Sequence, residues 1–145
     1  MFAPTTPFRN ASNALAGAYH TIGVETGVST ASPHRLIALL FEGFGDAVAK
    51  ARSAMAQRDI AAKGKAISRA VRIVDEGLRS TLDLEAGGQL AGDLAALYAY
   101  IAVRLTEGNL HDDPRALDEC TALIEPVRSA WLAIDPAAGG TPEVQ

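Results

Sequence analysis

A chain of 145 residues has the length of one domain and can bury one core, and its hydrophobic content of 48% with only 6% aromatic is mostly Ala, Leu, Val and Ile, a composition suited to close-packed helices. The net charge of −4 offers no general attraction to phosphate backbones and argues against nucleic-acid binding. A single cysteine, Cys120, excludes an intrachain disulfide and a cysteine-based metal cluster, and it fits a reducing compartment.

The opening MFAPTTPFRN has proline and threonine where a signal peptide needs an apolar core, and no run approaches the ~18 apolar residues of a membrane span. A soluble, cytoplasmic protein is expected, without membrane insertion. Residues 1–31 are expected to form a flexible segment. Within it, residues 10–22 can make a short helix with Leu15, Tyr19 and Ile22 on one side. Gly23 and Gly27 then bracket an extended connector.

The first long helix has a clear start. Ser32 can cap its free amides and Pro33 sits where a missing N–H costs nothing. From there Leu36, Ile37, Leu40, Phe44, Ala47, Val48, Ala51 and Met55 repeat with a period of about 3.6 residues. Asp59 is the next cap, and Ile60, Ile67, Val71, Val74, Leu78 and Leu82 make the stripe of a second long helix. Lys63, Lys65, Arg69, Arg72 and Arg79 make that helix basic, as a solvated face or as a docking face for an acidic partner.

After a turn over residues 83–88, Leu90, Leu94, Leu97, Ile101 and Leu105 form one face of a third helix ending at Asn109, whose side chain tolerates the left-handed conformation that closes helices. Tyr98 and Ala102 widen that face, while Ala96, Tyr100 and Val103 carry apolar surface round to the other side. A helix apolar on most of its circumference needs neighbours on two sides, or a partner on the side left bare. Asp113 and Pro114 repeat the cap-plus-proline start, and Leu117, Cys120, Ile124, Val127, Trp131 and Ile134 give the last stripe. Pro126 lies inside that stripe, so a kink or break is expected there. Residues 135–145 read as a disordered tail. Short turns between long helices force antiparallel neighbours. The expected fold is therefore all-α: an up-down-up-down four-helix bundle over residues 32–134, preceded by the short N-terminal helical segment.

Catalytic chemistry is hard to place on this pattern. A di-iron bundle needs inward Glu-x-x-His pairs, and the sequence has none. His20, His34 and His111 fall in a terminal segment, a helix start and a turn, where solvation is expected, whereas a phosphotransfer histidine would sit in mid-helix. Gly87-Gly88 and Gly139-Gly140 lack the flanks of a phosphate loop. No enzyme activity, metal or cofactor is expected.

A series of short motifs in order does carry information. Ala18-Tyr19 is followed by Ile22-Gly23-Val24-Glu25, then Ser32-Pro33-His34-Arg35-Leu36-Ile37 and Leu40-Phe41-Glu42-Gly43. Lys63-Gly64-Lys65, Ile67-Ser68-Arg69-Ala70 and Glu76-Gly77-Leu78-Arg79 come next. Leu97-Tyr98-Ala99-Tyr100, Arg104-Leu105, Asn109-Leu110 and Arg128-Ser129-Ala130-Trp131 complete the set. In this order and spacing the chain resembles the FliS family of flagellar secretion chaperones. It departs from the family pattern at Val103, where arginine is common, at Gly108, where alanine is usual, and at Pro126.

The resemblance implies a helical bundle that binds the C-terminal segment of newly made flagellin in the cytoplasm, blocks its premature polymerisation and presents it to a component of the membrane-embedded export gate. From the residues themselves, a central helix apolar on more than one face leaves a groove for amphipathic helices. The candidate cargo contacts are Ile67, Val71 and Leu78 on the second helix and Leu97, Tyr98, Ile101 and Leu105 on the third; their other reading is intramolecular core. Tyr98 is favoured for a half-wet position because of its hydroxyl. Tyr19 matches the family's N-terminal tyrosine, and with Ile22 it is expected to lie over the empty cargo site as a removable lid. The alternative from another class is a self-associating structural bundle without cargo, its spare apolar surface closing a homodimer. A phosphotransfer signalling protein is a more distant third.

Overall fold

Three of the four long helices begin on the caps that the sequence provides. In the computed structural model, which describes residues 32–134, helix α1 (Pro33–Ala56) opens with the Ser32 hydroxyl accepting the Arg35 amide at 3.1 Å. Helix α2 (Ile60–Arg72) opens with the Asp59 carboxylate accepting the Ala62 amide at 3.1 Å. Helix α4 (Pro114–Ala133) opens with Asp113 accepting the Arg115 amide at 3.0 Å. Helix α3 (Gly88–His111) follows a turn closed by Asp83, whose carboxylate accepts the Ala86 amide at 3.0 Å. The described residues contain no strand. The expectations for residues 1–31, including the lid residues Tyr19 and Ile22, and for the tail 135–145 lie outside the described residues.

Side-chain contacts fix the directions of the helices. Arg69 near the end of α2 donates to the Gly43 carbonyl in α1. Lys63 at the start of α2 meets the end of α3. Arg104 in α3 pairs with Glu119 early in α4, and Arg52 near the end of α1 pairs with Asp118. Each neighbouring pair is therefore antiparallel, and the architecture is an up-down-up-down four-helix bundle. Its core is formed by Leu40, Phe44 and Val48 of α1, Ile67 and Ile73 of the second stretch, Ile101 and Leu105 of α3, and Leu117, Cys120 and Ile124 of α4. The Cys120 thiol donates to the Ile101 carbonyl at 3.7 Å, and burial pushes its pKa up to about 12.

The structure departs from the sequence-based expectation in four places. The second helix is not uniform to Leu82. After Arg72 the chain continues as a π-helical turn (Ile73–Leu78) and then a 3₁₀ turn (Arg79–Thr81). Hydroxyls accompany this change of winding: Ser80 donates to the Glu76 and Gly77 carbonyls, and Thr81 donates to the Leu78 carbonyl at 2.8 Å. The under-wound turn followed by the over-wound one keeps Ile73, Val74, Gly77, Leu78 and Thr81 on the buried side. Gly77 sits against Leu40, where a Cβ would come within 2.9 Å of the leucine Cδ2.

The third helix also runs past Asn109. It closes at Asp112, which is left-handed at φ 51° and ψ 46°. The reason is tertiary. Lys63, expected on the solvated basic face, is only 6% exposed, and its ammonium donates to the Asn109 carbonyl at 3.0 Å and to the Asp112 carboxylate. One turn back, Gly108 lets α3 approach α4, since a Cβ there would stand 3.0 Å from the Ala116 Cβ.

The fourth helix runs through Pro126 as one element rather than breaking there. And His34, expected in solvent, is half-buried against Trp131.

Candidate functional site

The indole N–H of Trp131, near the end of α4, donates to the His34 carbonyl at 3.0 Å, and His34 Nε2 donates to the Trp131 carbonyl at 2.9 Å. The two rings stack at 5.0 Å between centroids with 14° between planes. This clasp holds the first turn of α1 against the last turn of α4. Beside it lies an apolar groove of about 370 Å³.

Helices α1, α3 and α4 and the irregular turns that follow α2 contribute to the groove. Helix α1 supplies Ile37 and Phe41, and the irregular end of the second stretch supplies Leu78 and Thr81. Helix α3 supplies Leu90, Leu94 and Tyr98. Helix α4 supplies Val127 and Trp131, together with Pro126, whose ring adds apolar wall. Among the described residues no charged side chain lines it. A cleft of this composition binds by burying apolar surface, at roughly 25 cal/mol per Å² removed from water. Among the described residues no cluster of His, Cys, Asp or Glu could hold a metal ion, and no helix is long and apolar enough to cross a membrane.

The polar atoms of the lining differ in how they are satisfied. Thr81 gives its hydroxyl to the Leu78 carbonyl and Trp131 gives its indole N–H to His34. Tyr98 is 4% exposed, and burial pushes its phenol up to about 12.

Of the residues expected to contact cargo, Leu78 and Tyr98 line this groove. Ile67, Ile101 and Leu105 are enclosed by the bundle's own helices, and Val71 and Leu97 pack half-buried against the same core. Val71 and Leu97 keep part of their surface exposed. The favoured half-wet position of Tyr98 is instead a nearly dry one. Ile37, Leu94, Val127 and Trp131 were legible as stripe residues but not as groove lining, and Phe41 only as part of a motif. The one available signal was Trp131, the only tryptophan of the chain, at the C-terminal end of its stripe.

The outer side of α3 carries a second feature. Tyr100 and Val103 are 44% and 56% exposed, so this side of the apolar helix is left bare. Tyr100 donates to Glu119 at 2.5 Å, and Arg104 bridges Glu119 at 2.7 Å and Glu107 at 2.9 Å. The hydrogen bonds from Tyr100 and then Arg104 hold the Glu119 carboxyl below the usual carboxylate range, and the bond to Glu119 raises the Tyr100 phenol.

Comparison with known proteins adds family to geometry. The family model described as flagellar protein FliS matches residues 15–138. The flagellar secretion chaperone FliS of Salmonella typhimurium is 43% identical over 121 residues, covering 83% of this chain and 90% of the relative. The flagellar secretion chaperone FliSB of Pseudomonas aeruginosa is 46% identical over 116 residues, covering 80% and 91%. The flagellar secretion chaperone FliS of Bacillus subtilis is 28% identical over 112 residues, covering 77% and 82%.

Proposed function

The chain belongs to the FliS family of flagellar export chaperones, which are not enzymes, and from that premise we propose that its cargo is the C-terminal segment of flagellin. The segment docks as an amphipathic helix with its apolar face in the groove between Tyr98 and Trp131, and so is kept from polymerising before export. The bound pair is handed to a component of the flagellar export gate, and this takes place in the cytoplasm.

The observation that carries this reading is the groove at the Trp131 end of the bundle, open to solvent, lined by no charged side chain among the described residues and walled by α1, α3, α4 and the irregular turns that follow α2. A groove of that kind suits helix-in-groove recognition, in which a few apolar anchors do most of the binding. A disordered segment that folds as it docks loses ordering entropy, and the buried apolar area has to exceed that loss.

The test is calorimetric titration of the full chain with a peptide covering the C-terminal segment of the cognate flagellin, followed by circular dichroism of the mixture. One-to-one binding with a negative heat-capacity change and a gain in helix is expected. Absence of binding by the folded protein would sink the reading. The exposed Tyr100 and Val103 favour a second reading, self-association through the outer side of α3, and mass measurement with and without the peptide separates the two.

A further inference from the structure

Tyr98 lines the groove with a side chain that almost no solvent reaches. Among the described residues its hydroxyl has no hydrogen-bond partner, although the other polar atoms in the lining, on Thr81 and Trp131, both have one. Buried polar groups are nearly always satisfied, because leaving one dry and unpaired forfeits its bonds to water. An exception that faces a binding groove marks a group whose partner arrives with the ligand.

We propose that the Tyr98 hydroxyl is the specificity-determining contact of this groove, donating a hydrogen bond to an amide carbonyl on the docked segment. The inference rests on the reading of the groove as the cargo site. The acceptor is neutral, because among the described residues no charged side chain lines the groove, and a carboxylate brought into it would be desolvated without a counter-charge. A docked helix satisfies its own carbonyls except in its last turn. The amide carbonyl therefore belongs either to an Asn or Gln side chain or to the last turn of the cargo helix. A single such contact in an otherwise apolar cleft sets register: sliding the helix along the groove keeps the apolar contacts but leaves the phenol unpaired. Specificity of this kind comes from a bond gained only in the right alignment, since in any other the phenol stays as unpaired as it is in the empty protein.

The substitution Tyr98→Phe keeps the ring and removes only the hydroxyl. It is tested by two measurements on the full chain: the melting temperature of the empty protein, and titration with the flagellin C-terminal peptide. In the empty protein the phenylalanine variant is expected to melt at the same temperature or higher, because an unpaired polar group is no longer buried. Its affinity for the peptide is expected to fall about tenfold, the worth of one hydrogen bond in a dry site. The opposite signs distinguish a recognition role from a structural one. Peptide variants with each Asn or Gln replaced by Leu then locate the acceptor. One that loses affinity against wild type but not against Tyr98→Phe identifies a side-chain amide, and the absence of any such variant assigns the bond to the last turn of the cargo helix. Equal affinity of wild type and variant overturns the inference while leaving the cargo reading intact. A variant that melts lower and binds weaker overturns it too, by placing the hydroxyl's partner inside the bundle. If the folded wild type binds no peptide, the cargo reading falls and the inference with it.

Discussion

His34 and Trp131, 97 positions apart, hold each other by a pair of reciprocal side-chain-to-backbone hydrogen bonds and a ring stack. The pair locks the first turn of α1 to the last turn of α4, and its tryptophan is at the same time a wall of the apolar groove. Fold closure and groove lining therefore share one side chain.

Replacing Trp131 separates these roles. Trp131→Phe keeps most of the apolar area and loses the indole N–H, leaving the His34 carbonyl short of a donor; urea unfolding is expected to register a loss of about 1 kcal/mol. Trp131→Ala also removes the packing and is expected to cost about 3 kcal/mol. An alanine variant as stable as wild type would show that the clasp is incidental to the fold.

Lys63→Met is expected to destabilise the bundle by about 1–3 kcal/mol, because the Asn109 carbonyl and the closing turn at Asp112 lose the ammonium that satisfies them. Amide hydrogen exchange gives the readout with most detail: protection should fall in the last turn of α3 while the middle of α3 remains protected. Uniform loss of protection would point to general unfolding rather than a lost cap.

Gly77→Ala runs against the usual rule. Alanine is the better helix former by about 1 kcal/mol, but here its methyl would meet Leu40 at 2.9 Å. The expected net effect in chemical denaturation is a destabilisation of about 1–2 kcal/mol, since over-packing a filled core outweighs the propensity gain. Adding Leu40→Ala should make the Gly77→Ala change less harmful than it is alone, and strict additivity of the two would refute the contact.

The Glu119 carboxyl has its pKa lowered by Tyr100 and then Arg104. A folded-state value below the unfolded one means that stabilisation is present above the unfolded carboxylate pKa and is lost as pH falls through the folded value. Melting temperature followed from pH 7 downward should therefore drop less steeply in Glu119→Gln than in wild type. Asp113, lowered by Arg115 in the same direction, leaves a residual slope in both. Identical pH profiles would mean that the Tyr100–Glu119–Arg104 arrangement does not persist in solution.

The sequence by itself determined the helices, three of their caps and the antiparallel order, because these depend on interactions a few residues long: a stripe repeating at the helical period, a side chain bonding an amide two or three positions on, a turn too short to cross the bundle. Helical period also identified Leu78 and Tyr98 as apolar-face residues. It cannot say at what height along the bundle a face stays closed and where it opens, so Ile67, Ile101 and Leu105 looked the same as the residues that line the groove. That distinction, the burial of Lys63, the pairing of His34 with Trp131 and the altered winding beside Leu40 were decided only by tertiary structure. Each depends on which side chain from another helix arrives opposite, and close packing leaves room for one arrangement that no local pattern encodes.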